Sequence, residues 1–258
     1  MQVYYMNGAG NDFMVMDARG QNLDFAATAV ALCKLTHADG FMALDHSETA
    51  DFRLHFYNSD GTRGEMCGNG ARCICRFAEE LGVSGEEMTV QTDAGTVFGK
   101  RIRPGIYQVQ LNIPGVMDLH RTEAAAYVEL GNPGVPHAVQ EFPGLTWEMR
   151  EPLRERFQAL RHHPAFPKGA NANMYTWVDA STVRILTYER GVEDYTLACG
   201  TGSGATAAVL WAQGKLPDGV LTVKNPGGDL KVTVKSDGNA ITALLLEGPT
   251  EIVRIYEI

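Results

Sequence analysis

An internal repeat constrains the fold of this chain more than any other feature of its sequence. Residues 57–71 contain a tyrosine and, ten residues after it, the segment Cys-Gly-Asn-Gly-Ala. Residues 188–205 contain a tyrosine and, eleven residues after it, the segment Cys-Gly-Thr-Gly-Ser-Gly-Ala. A helical pattern follows each cysteine, and a Thr-Val strand start follows each helix at Thr89 and Thr222. The order strand, glycine-rich cysteine turn, helix, strand is therefore used twice.

The repeat predicts two similar halves facing each other across a cleft. We expect an N-terminal half at 1–116, joined by a C-terminal strand at 251–258, and a C-terminal half at 117–250. Alternating apolar residues predict strands, and apolar residues at helical spacing predict helices. The predicted strands are 89–92, 108–113, 183–188 and 230–234, and the predicted helices are 25–35, 71–81, 153–160 and 204–213.

Bulk composition excludes several classes of protein. The 258 residues are 45% hydrophobic and 21% charged, which is typical of a globular protein, and the net charge of -9 indicates a solubilising surface. The chain has no run of Lys or Arg for nucleic acid, no apolar stretch long enough for a bilayer and no signal-peptide pattern. We therefore predict a cytoplasmic protein with neither nucleic-acid nor membrane partners.

The five cysteines do not form a disulfide framework, because their number is odd in a chain of this length. Cys33, Cys73 and Cys75 are interpreted as small buried apolar residues. The cysteines lack the Cys-x-x-Cys spacing and the nearby histidines of a zinc site, and the chain lacks a Gly-x-x-x-x-Gly-Lys phosphate loop. Neither a metal nor a cofactor is therefore expected.

The chemistry of the repeat depends on where its cysteines lie. The N-terminus of a helix has unpaired N–H groups and a partial positive charge, which stabilise a thiolate and bind a carboxylate. One such turn is equally compatible with a buried structural cysteine, and a single acyl-transfer nucleophile would leave the second copy unexplained. Two copies favour a carboxylate held between two helix N-termini, with Cys67 and Cys199 as acid and base on opposite faces of a carbon.

Seven segments together resemble the diaminopimelate epimerase family, in the family's order and along nearly the whole chain. They are residues 6–13, 56–61, 67–73, 166–171, 188–191, 198–202 and 226–228. The resemblance implies an α/β (α+β) fold with two pseudo-symmetric halves, each a mostly antiparallel sheet wrapped around a central helix. It also implies interconversion of LL- and meso-diaminopimelate without pyridoxal phosphate or metal, in lysine and peptidoglycan precursor synthesis, by an enzyme that is usually a homodimer.

The resemblance further implies roles for single residues. The catalytic cysteines fall on Cys67 and Cys199, and groups that adjust their pKa values fall on His137 and Glu189. Arginine and asparagine side chains suit the distal amino-acid end of the substrate, and the glycine-rich turns suit its reacting end. The substrate-binding positions fall on Asn11, Asn58, Gly68, Asn69, Asn132, Asn171, Glu189, Arg190, Gly200 and Thr201.

The sequence departs from the family pattern at three places, one of which, Ser203-Gly204 after Gly202 in the second turn, carries no chemical consequence. Residues 37–40 read His-Ala-Asp-Gly where the family often has Gly-Phe-Asp-Gln, so the glutamine side chain is missing. The usual Gly-Asn-Pro-His is lengthened to the seven residues 131–137, so that either Asn132 or Val135 fills the place that contacts substrate.

Three other functions compete with this interpretation. A related two-cysteine racemase would act on proline, hydroxyproline or histidine, but Arg190 with Asn58 and Asn171 favours a substrate that has a second zwitterionic end. A non-catalytic ligand-binding relative would be expected to have lost one of the two cysteines. A thiol-redox protein would require a functional disulfide between them.

Overall fold

The computed structural model describes residues 1–64 and 67–257, and the chain divides into two compact units. The first unit is Met1–Gln110 together with Glu247–Ile258, and the second unit is Leu111–Leu246. Each unit has its own apolar core of strand and helix side chains. No helix in the described ranges is both long enough and apolar enough to cross a membrane.

The first unit contains eight strands and two helices among its described residues. In chain order they are β1 (Gln2–Gly8), β2 (Asn11–Asp17), α1 (Phe25–Thr36), β3 (Gly40–Asp45), β4 (Phe52–Asn58), α2 (Gly68–Glu80), β5 (Glu87–Thr92), β6 (Gly95–Arg103), β7 (Ile106–Leu111) and the last strand, β17 (Glu251–Glu257).

The second unit contains nine strands, two α-helices and a short 3-10 turn, all of them fully described. In chain order they are β8 (Pro114–Asp118), β9 (Ala125–Gly131), β10 (Gly134–Glu141), the 3-10 turn (Trp147–Met149), α3 (Arg154–Arg161), β11 (Asn171–Asp179), β12 (Thr182–Glu189), β13 (Asp194–Thr196), α4 (Gly200–Ala212), β14 (Val220–Asn225), β15 (Gly228–Asp237) and β16 (Ala240–Pro249).

The strand pairing of the first unit recurs in the second. In the first unit β1 and β2 form an antiparallel pair, β2 lies parallel to β3, β3 is antiparallel to β4, and β4 lies parallel to β5. In the second unit β9 and β10, β10 and β11, β11 and β12, and β12 and β14 have the same four relations in the same order. Parallel neighbours need a crossover connection, and α2 and α4 supply it at the last step of each series.

Local sequence explains several of these elements. The side chain of Asp24 caps α1 by accepting a hydrogen bond from the backbone N–H of Ala27 at 3.1 Å. The same helix ends at His37, which has a left-handed φ of 58°. Side chains of β14 alternate between partly exposed and buried, as expected for a strand that has one face on the core. The predicted strands and helices are confirmed within a few residues at their ends.

The helices α2 and α4 are central to their units, because ten of the thirteen residues in each of them are buried. The predicted helix starts at residues 71 and 204 are wrong, since α2 begins at Gly68 and α4 at Gly200. Glycine has a low helix propensity, but here its small size lets the first turn of each helix pack tightly against its surroundings. Each repeat cysteine is therefore the N-cap residue itself. The predicted fold class, a mostly antiparallel sheet wrapped around a central helix in each half, is confirmed.

The close approach of β1 to α2 yields a stability prediction. A Cβ atom added at Gly8 would lie 2.9 Å from the backbone oxygen of Asn69 and 2.9 Å from Cys73 Sγ. Gly8→Ala should therefore push the strand and helix apart and lower the free energy of unfolding by about 1–3 kcal/mol. Urea unfolding followed by circular dichroism measures the change.

A matched control is Gly85→Ala. A Cβ atom at Gly85 meets no heavy atom of the described residues within 4 Å, and its φ lies outside the left-handed region. This variant should unfold at the wild-type urea concentration. Equal shifts of the two midpoints would show that the contact between β1 and α2 does not limit stability.

Candidate active site

The first cysteine turn lies at the start of α2. Cys67 is the N-cap residue with extended backbone angles (φ -105°, ψ 120°), and its carbonyl oxygen accepts the N–H of Ala71 at 2.8 Å. Gly68, Asn69 and Gly70 form the buried first turn, where a backbone N–H has no helix carbonyl four residues before it to bind. The turn thus combines a half-buried thiol with N–H donors suited to an anion.

Asn69 and Asn11 are brought together at this turn. The amide nitrogen of Asn69 donates to Asn11 Oδ1 at 2.6 Å, and the amide nitrogen of Asn11 donates to Asp39 Oδ2 at 3.2 Å. Asp39 Oδ2 also accepts the backbone N–H of Asp12 at 2.9 Å. The sequence analysis gave Asp39 no role. Asp39 belongs to the His-Ala-Asp-Gly segment at residues 37–40, which departs from the family pattern. That departure could have indicated Asp39 from the sequence.

Asn58 lies exposed at the end of β4, in a turn. Its amide nitrogen donates to Thr62 Oγ1 at 3.0 Å, its backbone N–H donates to the Thr62 carbonyl at 2.8 Å, and its carbonyl accepts the N–H of Gly61 at 3.0 Å. These bonds fix the turn and hold the Asn58 side chain within it.

The second cysteine turn lies at the start of α4. Cys199 is 6% exposed and is the N-cap residue, and its Sγ accepts the N–H of Gly202 at 3.3 Å. Thr201 Oγ1 lies 3.5 Å from the same sulfur. The backbone N–H and the hydroxyl of Ser203 both donate to the Cys199 carbonyl at 2.9 Å. An N–H that points at sulfur favours the thiolate, because the hydrogen bond strengthens with the charge of its acceptor.

His137 lies on β10 and is completely buried. Its Nδ1 is 3.3 Å from the amide nitrogen of Asn173, which also donates to the carbonyls of Ala138 at 3.1 Å and Asn171 at 2.9 Å. Burial, assisted by the positive charge of Arg190, lowers the pKa of His137 to about 3. The imidazole is therefore neutral at physiological pH, and its Nε2 has no hydrogen-bond partner among the described residues.

Asn173 is a residue that the sequence analysis missed. Its Oδ1 accepts the hydroxyl of Thr187 at 3.0 Å, and a Cβ atom added at Gly202 would collide with that oxygen and lie 3.2 Å from Cys199 Sγ. Asn173 therefore packs against the Cys199 turn on one side and His137 on the other. Asn171 and Asn173 share one face of β11, and this alternation was the available signal.

Asn171 and Arg190 are also brought together. Asn171 is buried, and its Oδ1 accepts the backbone N–H of Arg190 at 2.7 Å. The Arg190 guanidinium donates through Nη1 to the Lys168 carbonyl at 3.2 Å. Glu189, half-buried at the end of β12, directly precedes Arg190. The buried amide thus fixes the backbone from which the arginine extends.

The lengthened segment between β9 and β10 places Asn132 in an exposed turn, whereas Val135 is half-buried on β10.

Within residues 1–64 and 67–257, no group of three His, Cys, Asp or Glu side chains is placed to hold a metal ion. The described contacts group most of the predicted site residues into three sets: Asn11, Gly68 and Asn69 at the Cys67 turn; Gly200 and Thr201 at the Cys199 turn; and His137, Asn171 and Arg190 around β11. Outside these sets, Asn58 and Asn132 lie in exposed turns, and Glu189 is placed only by its position before Arg190.

Comparisons with known proteins identify the family of this chain. The family model described as "Diaminopimelate epimerase" matches residues 3–100 and 127–253. A protein of that name from Flavobacterium psychrophilum is 33% identical over 259 residues, covering 98% of this chain and 98% of that protein. Another from Aquifex aeolicus is 35% identical over 244 residues, covering 86% of each. The chain belongs to the diaminopimelate epimerase family. The resemblance that the sequence motifs indicate is confirmed.

A solved structure supports the fold alone. The phenazine biosynthesis protein of the PhzF family from Bacillus anthracis superposes with a TM-score of 0.74 at 14% identity, covering 100% of this chain and 98% of that one. This level of identity shows a shared fold. It carries no inference about the reaction of this family member.

The buried His137 yields a pH prediction. Between its reference pKa of 6.5 and its folded pKa of about 3, the unfolded chain binds a proton at this residue and the folded chain does not. The free energy of unfolding should therefore fall as the pH falls below 6.5, by up to about 1.4 kcal/mol per pH unit from this group. Urea unfolding at pH 7 and pH 5 measures the slope.

His137→Gln should remove this part of the pH dependence and leave the part due to His55, whose burial also lowers its pKa. In the wild-type protein, the NMR signal of the His137 Cε1–H should stay constant between pH 5 and pH 8. A signal that titrates near pH 6.5 would contradict a neutral, buried imidazole.

Proposed function

We propose that this chain catalyses the cofactor-independent epimerisation of LL-diaminopimelate to meso-diaminopimelate, for lysine and peptidoglycan precursor synthesis. The observation that carries the proposal is the pair of matching cysteine turns, each at the N-cap of a central helix, in a chain that belongs to the diaminopimelate epimerase family. Relatives with that name cover nearly the whole chain.

The reaction needs one thiolate and one thiol. The thiolate of one cysteine removes the proton from the α-carbon of the substrate, and the thiol of the other delivers a proton to the opposite face. The product has the inverted configuration, and the two cysteines have exchanged protonation states. Helix N–H donors stabilise the substrate carboxylate and the negative charge that develops beside it.

His137 and Glu189 adjust the Cys199 side of this exchange in our proposal. The neutral His137 accepts or donates a hydrogen bond without introducing a charge of its own. Asn173 contacts both its ring and the Gly202 turn, so it transmits the position of one to the other.

We assign binding of the distal end of the substrate to four asparagine amides and one arginine. Asn11, Asn58, Asn132 and Asn171 offer neutral donors and acceptors, and Arg190 offers a charge-assisted contact to the distal carboxylate. The bond from the Arg190 N–H to Asn171 couples two members of this set. Homodimer assembly and a cytoplasmic location stay predictions made from the sequence.

The roles of the two thiols are tested by removing each of them. Cys67→Ala and Cys199→Ala should each lower kcat for diaminopimelate epimerisation by at least about 10²–10⁴-fold, because each removes one partner in proton transfer. Deuterium incorporation from D2O at the α-carbon, measured by mass spectrometry for both stereoisomers, follows the loss. Full turnover by either variant at neutral pH would refute the two-base mechanism.

Cys73→Ala and Cys75→Ala are matched controls on the same helix as Cys67. Both thiols are fully buried, and burial raises the pKa of each to about 12, so they stay protonated and unreactive. These variants should retain turnover, with at most a small loss of stability from the missing sulfur.

Substrate choice is tested at Arg190. Arg190→Ala leaves the distal carboxylate without its charged partner, and such a loss typically costs about 2–5 kcal/mol when the remaining charge stays buried. The value of kcat/KM should fall far more for diaminopimelate than for a short monocarboxylic analogue. Asn171→Ala should act in the same direction because it releases the Arg190 backbone.

Arg103→Ala, at an exposed position on β6, is the control for the loss of one positive charge from the chain. It should leave kcat/KM unchanged for both substrates. Equal losses on both substrates in the Arg190 variant would make that arginine a structural residue and would favour a racemase with another substrate.

A further inference from the structure

Arg72 is an unusual residue for the interior of a protein. It lies on α2, five residues after Cys67, and none of its surface is exposed. Arginine is almost never fully buried unless an anion accompanies it. The guanidinium cannot escape this cost by losing its proton, since it stays charged at every physiological pH.

The hydrogen bonds of Arg72 do not supply an anion. Its Nη1 donates to the Gly68 carbonyl at 3.2 Å and its Nη2 donates to Asn69 Oδ1 at 2.9 Å, so both acceptors are neutral. Its Nε is buried with no hydrogen-bond partner in the part of the chain that the structure describes. The cation is therefore held in place but not neutralised by these contacts.

The helix dipole makes this placement more costly. Side chains of an α-helix point back towards its N-terminus, and the bond to Gly68 shows that the Arg72 guanidinium reaches the first turn. That turn already carries a partial positive charge. Burial accordingly lowers the pKa of Arg72. An anion bound at this turn would be attracted both by the buried guanidinium and by the helix N-terminus, and so would offset the cost of placing a cation there.

A thiolate at Cys73, Cys67 or Cys75 would favour the charged form of Arg72. Burial keeps Cys73 and Cys75 protonated, because their pKa values are raised to about 12. Cys67 differs from them, since it is only half-buried and is the N-cap residue itself. The thiolate that this cation can stabilise is therefore that of Cys67.

Arg72 also sets the direction of two amides. A guanidinium only donates, so Asn69 must turn its oxygen towards Arg72 and its nitrogen towards Asn11 Oδ1. Asn11 then has its nitrogen left as a donor, which Asp39 accepts at 3.2 Å. The buried charge of Arg72 thus determines the orientation of the side-chain amides of Asn69 and Asn11.

We propose that Arg72 is a positioning residue for the reaction at Cys67. Its permanent charge behind the turn favours the Cys67 thiolate and a bound carboxylate, and its fork orients the amides of Asn69 and Asn11 so that Asn11 presents a donor. The inference rests on the proposed function, because it assigns Arg72 to the same site.

The test measures the Cys67 thiolate directly, without substrate. In a Cys199→Ala background, the rate of Cys67 alkylation by iodoacetamide is followed against pH by mass spectrometry of the peptide. Other charged groups near this cluster, among the described residues, are Arg76 on α2, Asp12 on β2 and Asp39, and all three are left unchanged. Arg72→Gln removes the charge but keeps a donor, whereas Arg72→Lys keeps a charge but loses the planar fork.

The pH midpoint of alkylation should rise by about one unit or more in Arg72→Gln, which is about tenfold slower alkylation at neutral pH. Arg72→Lys should stay closer to the wild-type midpoint. Where Arg72→Gln does not fold, as judged by circular dichroism, Arg72→Met fills a similar volume and serves as the neutral variant. An unchanged midpoint in a folded neutral variant would overturn the proposal.

Failure of the Arg72 proposal is distinguishable from failure of the proposed function. The midpoint shift needs no substrate, so it is expected even if the chain turns over an amino acid other than diaminopimelate. Conversely, diaminopimelate turnover in the wild-type protein combined with an unchanged midpoint would preserve the function and reject the role of Arg72.

Discussion

The first turn of a buried helix is the constraint on which the rest of this structure depends. A helix start leaves N–H groups without intrahelical acceptors, and burying them unpaired is costly. In this chain two central helices, α2 and α4, begin inside their units, and each starts at a cysteine. In the proposed reaction, N–H groups of these first turns offset that cost by binding a carboxylate or stabilising a thiolate. Stability and chemistry therefore meet at the same few backbone atoms.

Close packing around these helix starts depends on glycine. A side chain at Gly8 would collide with the backbone of α2, and one at Gly202 would collide with Asn173 and crowd Cys199. The helices thus begin with residues of low helix propensity, and tertiary packing stabilises them against that propensity.

Two buried ionisable side chains respond to burial in opposite ways, since one becomes neutral and the other keeps its charge. His137 gives up its charge, because burial and the nearby Arg190 lower its pKa to about 3. Arg72 cannot give up its charge and instead donates to the Gly68 carbonyl and to Asn69. A neutral ring beside one cysteine turn and a fixed cation beside the other make the two environments electrostatically different. Such a difference suits an exchange in which one sulfur begins as thiolate and the other as thiol.

The sequence by itself determined the two cysteine turns, the repeated order of strand, turn, helix and strand around them, and the resemblance to the family. These features are local, since apolar spacing and glycine turns depend on neighbouring residues. Tertiary structure alone decided the hydrogen bonds from Asn11 to Asp39 and from Asn173 to the His137 ring, and the full burial of Arg72. Each of these depends on residues from separate segments of the chain or on the packing of a whole helix. Burial and long-range pairing are sums over the whole fold, and no short segment carries them.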